Sequence, residues 1–179
     1  TGFNYFDPLS VYSSDKLEAE QYLEDSWDER SPKPSVEIIR TGWLFGGDKD
    51  RKFMYKIRDK IRNHHEDILA VNDIEGQLMH ISDLARFIVH VVMERARETQ
   101  NSFGISHAVS YNTCSRYDLA KYMTKDSIGV NVVPVSNHMF GLAANRPRKE
   151  FLSVFNTEKR FGIKFRSWHE MVDDYLLEQ

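Results

Sequence analysis

The stretch VEIIRTGWLFG, residues 36–46, decides the fold. Its β-branched run reads as a strand, and Gly46-Gly47 closes it as a turn. Upstream lies DERSPKPS (28–35), a loop with two prolines and mixed charge. Before that loop, residues 13–27 read as a helix. Downstream, DRKFMYKIRDKIRN (50–63) sets Phe53, Ile57 and Ile61 on one helical stripe. ILAVN (68–72) reads as a strand. Ser82 is a candidate cap for a helix carrying Leu84, Phe87, Ile88, Val91 and Val92. SFGISHAV (102–109) is the next strand, and SRYD (115–118) is a capping box that opens another helix. VNVVPV (130–135) is strand-like, with a proline suited to an edge. A short helix over 157–161 stops at Gly162, and SWHE (167–170) opens the last helix. Strands alternating with helices predict an α/β architecture with parallel pairing.

Bulk properties narrow the function. The chain has 179 residues, 41% hydrophobic and 28% charged, enough for one folded unit with a sizeable core. We expect a single α/β unit over 1–179. A net charge of −3 argues against a nucleic-acid binder. The single cysteine, Cys114, forms no internal disulfide and suggests a reducing compartment, hence a cytoplasmic protein. FIVHVVM (87–93), the longest apolar run, is too short to span a bilayer, and no basic-then-apolar leader opens the chain. Thr1 is not an initiator methionine, so residues upstream are expected to have been removed or left out. No internal repeat is present.

Chemistry is suggested by VYSSDKLEAEQYL (11–23), in which Tyr12 stands four residues before Lys16. On a helix that spacing puts both on one face. An ammonium beside a tyrosine favours the phenolate, so the tyrosine can pass a proton to a substrate oxygen. Tyr117 and Lys121 have the same spacing, so spacing alone does not choose between the pairs.

Context does choose. DPLSVYSSDKLEAEQYL resembles the active-site segment of the extended short-chain dehydrogenases, and most closely that of the dTDP-4-dehydrorhamnose reductases. VEIIRTGWLFG resembles the next core strand and substrate-facing loop of that family. EGQLMHISDLARFIVHVV resembles its strand-turn-helix, and SRYDLAKYM a later helix outside the catalytic centre. Residues 134–176 resemble its C-terminal segment, with the Ala-x-Arg-Pro turn at 144–147. These stretches occur in family order over nearly the whole chain.

The resemblance implies a partial Rossmann-like parallel sheet plus the smaller C-terminal substrate-binding part of such an enzyme. Residues 1–72 would carry the catalytic helix and late Rossmann strands, and 73–179 mainly the substrate-binding part. It implies NADPH or NADH as cofactor and a nucleotide-linked 4-keto-6-deoxy sugar as substrate. Tyr12 would protonate the carbonyl oxygen. Lys16 would assist it and hold the cofactor ribose. Trp43 and Arg146 would border the sugar-nucleotide, and Thr41 and Gly42 the nicotinamide. Two departures stand out. The chain has nine glycines but no glycine-rich dinucleotide turn. Register on YFD puts Gly2 where the family has a serine or threonine, so Thr1 fills that role only if the register slips. The chain is therefore expected to be a fragment inactive by itself, or else a non-catalytic partner-binding module. Its exposed sheet edge calls for a homodimer or a partner chain.

Other polar clusters read as structural. The cations of 49–62 suit a solvated helix face better than a diphosphate or nucleic acid. His64-His65 completes no metal set. Asp83 suits the first turn of its helix, and Cys114 reads as structural.

Overall fold

The computed structural model describes residues 10–47, 49–63, 67–140 and 147–177. Helix α1 is Val11–Glu29. The expected strand at 36–46 is two strands, β1 (Val36–Thr41) and β2 (Trp43–Phe45), joined at Gly42. They part because each pairs with a different strand. β1 runs parallel to β6 (Phe103–Ala108), whereas β2 runs parallel to β5 (Leu78–His80). Gly42 permits the change of partner: a Cβ there would stand 2.2 Å from the Gln77 carbonyl oxygen. That oxygen accepts the Trp43 amide at 2.8 Å.

Two further pairs complete the sheet structure of the described residues. β3 (Ile68–Val71) runs parallel to β8 (Val132–Val135), and β4 (Glu75–Gly76) antiparallel to β7 (Cys114–Ser115). Pro134 sits in β8, which pairs on one side only. The remaining helices are α2 (Phe53–Asn63), α3 (Ile81–Arg97), α4 (Arg116–Met123), α5 (Phe155–Phe161) and α6 (Trp168–Leu177). A 3-10 turn spans Asn137–Phe140. The capping boxes at Ser115 and Ser167 both form. Ser82, by contrast, does not cap α3. His80 does, its Nδ1 accepting the Ser82 amide at 3.3 Å. Helix entry is two residues earlier than the serine suggested, and the buried imidazole serves as acceptor.

Alternation along β1 sends its side chains to two faces. On one face Arg40 grips Glu20 of α1 through Nε and a terminal nitrogen, at 2.5–3.1 Å. On the other, the buried Glu37 carboxylate meets Arg95 of α3, Ser106 of β6 and Arg160 of α5. Arg95 and Glu37 are 7% and 5% exposed, so this pair is buried and hydrogen-bonded on several sides. The apolar core lies elsewhere, between β5, α4 and α6. Met79, Ala120, Met171, Val172 and Tyr175 are fully buried there.

Candidate functional site

The N-terminal helix carries the first candidate pair. Ser10 caps α1 by accepting the Ser13 amide at 3.3 Å. One turn on, the Lys16 ammonium stands 5.5 Å from the centroid of the Tyr12 ring. Both side chains lie on the outer surface, and α1 buries no residue at all. Val11, Tyr12, Tyr22 and Leu23 all face outward, with Tyr12 71% exposed.

Two contacts orient α1 on the sheet. Near its C-terminal end, the Trp27 indole donates to the Pro34 carbonyl at 2.6 Å and packs on Phe103, the register partner of Val36. Nearer the middle, Glu20 binds Arg40. The helix therefore runs antiparallel to β1. Tyr12 precedes Glu20 by eight residues, a rise of about 12 Å. Trp43 follows Arg40 by three, about 10 Å of extended chain. Tyr12 and Trp43 thus both lie beyond the carboxyl end of β1. Ligands of open α/β sheets bind outside that end of the strands.

Trp43 borders two adjoining clefts, of about 200 Å³ and about 320 Å³. Its indole rests on Gly76, where a Cβ would come within 2.7 Å of two ring atoms. The Arg116 guanidinium stands over the same indole at 5.1 Å and over the Phe53 ring at 4.9 Å. Trp43, Phe53 and Arg116 line both clefts. The smaller cleft continues along Leu44, Phe45 and Leu78. The larger runs past Val71, Ile74 and Phe140 to Asn137 and Glu150. Its far wall is braced by Asp73, which accepts the Ser136 hydroxyl at 2.6 Å and the Asn137 amide at 2.8 Å. The two hydrogen bonds hold the Asp73 carboxyl below the usual range.

The other sequence candidates fall as follows. The Thr41 hydroxyl donates to the Ala108 carbonyl at 2.8 Å, and Gly42 is where two strands approach closely. Thr1, Arg146, His64 and His65 lie outside the described residues. Arg51 and Arg58 stack on Tyr55 and Tyr175, and Lys60 donates to the Asp67 carbonyl. Asp83 does stand in the first turn of α3, where it also holds Arg166 at 2.7 Å. Burial pushes the Cys114 thiol well up. Among the described residues no group of three His, Cys, Asp or Glu side chains could hold a metal, and no helix is long and apolar enough to cross a membrane. No glycine-rich turn for a dinucleotide pyrophosphate occurs in the sequence. Sequence reading missed Arg116. Its one local sign is its place directly after the Ser115 cap, which says nothing of the two rings it meets.

Comparison with known proteins bears on the whole chain. The family model described as RmlD substrate binding domain matches residues 3–179. No curated protein matches. Among solved structures, a dTDP-4-dehydrorhamnose reductase from Clostridium acetobutylicum is 28% identical, with a TM-score of 0.79 over 99% of this chain and 59% of that one. The Yersinia enterocolitica reductase of the same name is 28% identical, with a TM-score of 0.80 over 94% of this chain and 56% of that one. That of Bacillus anthracis, solved with NADP, is 25% identical, with a TM-score of 0.79 over 99% and 58%. This chain therefore spans less than two thirds of the reductases it resembles.

Proposed function

Because this chain belongs to the RmlD substrate binding domain family, we propose that it carries the substrate pocket and proton donor of a sugar-nucleotide reductase. The reaction is NAD(P)H-dependent reduction of a nucleotide-linked 4-keto-6-deoxy sugar, as in the dTDP-4-dehydrorhamnose reductases. The turn that holds the dinucleotide pyrophosphate comes from outside these 179 residues. One observation carries the reading: Tyr12 and Trp43, far apart in sequence, both lie beyond the carboxyl end of β1.

In this reading the bound dinucleotide supplies a hydride to the carbonyl carbon of the sugar. Tyr12 gives its hydroxyl proton to the carbonyl oxygen, which becomes an alcohol. Lys16, on the same helical face, stabilises the phenolate left behind and holds the ribose. Solvent then returns the proton to Tyr12. Trp43 borders the sugar, joined by Arg146. Thr41 and Gly42 flank the nicotinamide through their backbone, the Thr41 hydroxyl being committed to Ala108. Thr1 is the candidate hydroxyl for the carbonyl oxygen. The buried, reduced Cys114 fits a cytoplasmic enzyme.

The outward apolar face of α1 and the edge of β1, which pairs with no strand but β6 among the described residues, favour a cover in the working enzyme. That cover is the cofactor-binding portion or a second chain. Calorimetry on the 179-residue chain tests the division of labour. It should bind the dTDP-sugar, with Trp43→Ala lowering the affinity about tenfold. It should bind NADPH weakly or not at all. Micromolar affinity for NADPH would contradict the proposal.

A further inference from the structure

Two clefts meet at one cation. Among the described residues, Arg116 is the only positively charged side chain that borders both the smaller and the larger cleft. Its backbone is firmly set. Ser115 Oγ accepts the Asp118 amide at 3.0 Å, and the Asp118 carboxylate accepts the Ser115 amide at 2.9 Å. The guanidinium is pressed between Trp43 and Phe53, which restrict its side chain before any ligand arrives. A pre-ordered arginine loses less freedom when it binds an anion.

The surroundings define the ligand. Val71, Ile74 and Phe140 give the larger cleft apolar walls, and Asn137 sets an amide beside them. Such a cleft suits a flat nucleobase, with the amide at its polar edge. The cation stands where this cleft adjoins the next. An anionic link joining a base on one side to a sugar on the other would lie across it. Arginine suits this role through parallel N–H donors that match phosphate oxygens.

We propose that Arg116 binds the diphosphate of the nucleotide-linked substrate, with the nucleobase in the larger cleft. This rests on the sugar-nucleotide reading above and adds to it a residue, a charge and an orientation. Arg116 also covers the face of Trp43 on which a sugar would pack, so the ligand that engages the guanidinium governs access to the indole.

The test is titration of the 179-residue chain with dTDP and with thymidine, followed by calorimetry and by the Trp43 indole resonance. Arg116→Met keeps the packing against both rings and removes the charge. Arg116→Lys keeps the charge. Far-ultraviolet circular dichroism checks that each variant is folded. The expected result is an affinity for dTDP lowered about tenfold or more in Arg116→Met. Thymidine affinity should change less than about twofold, and Arg116→Lys should recover part of the loss. Equal dTDP affinity in wild type and Arg116→Met would overturn the assignment and leave the sugar-nucleotide reading intact. Equal loss of dTDP and thymidine would mean that Arg116 only braces Trp43, and would overturn it too. No dTDP binding by the wild-type chain would remove the sugar-nucleotide reading together with the assignment.

Discussion

The chain contains two tyrosine–lysine pairs at one spacing, and the structure gives them opposite surroundings. On α1 the Lys16 ammonium lies 5.5 Å from the Tyr12 ring; on α4 Lys121 lies 5.7 Å from the Tyr117 ring. Local geometry is nearly the same. Yet α4 buries Leu119, Ala120 and Met123, and Tyr117 packs against the core. Helix α1 buries nothing and turns Tyr12 outward. A phenol packed against a core serves packing. A phenol on an uncovered helix face, beyond the carboxyl end of a parallel strand, is open to a ligand. The lesson is that the pair itself carries no functional information, and its surroundings carry nearly all of it.

The contrast is broken most easily by truncation. Leu119→Ala on α4 should cost about 3 kcal/mol, the usual loss for a buried leucine. Leu23→Ala on the outer face of α1 should cost less than about 0.5 kcal/mol. Urea denaturation with an unchanged slope measures both. If Leu23→Ala costs as much as Leu119→Ala, α1 is part of the core and the contrast fails.

Helix caps give a smaller effect. Ser115→Ala removes the hydroxyl arm of a capping box, leaving the Ser115 amide on Asp118, and should cost about 1 kcal/mol of global stability. Ser10→Ala removes one weaker cap from a helix that packs on little. It should leave global stability nearly unchanged and speed amide exchange in the first turn of α1. Hydrogen exchange separates the two outcomes, and equal global losses would count against the distinction.

These regions also show what was legible beforehand. The two capping boxes, SRYD and SWHE, were readable because a box is a four-residue device whose partners are neighbours. The same locality explains why the α1 and α2 helices were legible. The break at Gly42 was not, since its cause is the carbonyl of Gln77, a residue 35 positions away. Nor was His80 as cap to α3, because Ser82 is the stronger local signal. Trp43 was singled out by the resemblance of RTGWLFG to a substrate-facing loop. Arg116 was invisible because Trp43, Phe53 and Arg116 come together only when β2, α2 and α4 have packed. Glu37 and Arg95, 58 residues apart, are hidden for the same reason.

Cys114 reports on the α4 side. Burial, with Asp118 and Glu75 nearby, pushes its thiol up and keeps it protonated. The folded chain should resist iodoacetamide at about pH 8 and react only on unfolding. Rapid labelling of the native chain would show that the region around α4 opens more readily than its packing implies.

The smallest expected effect is one of pH, at the wall of the larger cleft. The Ser136 hydroxyl and Asn137 amide hold the Asp73 carboxyl below its ordinary value of 3.8. Its contribution is therefore complete above that value and is lost as pH falls through the lower folded value. The Asn137 amide resonance should titrate in acid below the ordinary carboxylate range. Asp73→Asn should abolish that titration. A midpoint above the ordinary value would mean that the brace does not form in solution.

We propose that the Tyr12 pair, and not its twin on α4, serves the reaction. The most direct measurement is NADPH-dependent turnover of a dTDP-4-keto-6-deoxy sugar by this chain joined to a cofactor-binding portion, with Tyr12→Phe and Tyr117→Phe compared. Tyr12→Phe should lower turnover about a hundredfold or more while leaving nucleotide-sugar affinity nearly unchanged. Tyr117→Phe should stay within about twofold of wild type. Equal activity in the two variants, or the larger loss with Tyr117→Phe, would contradict the account.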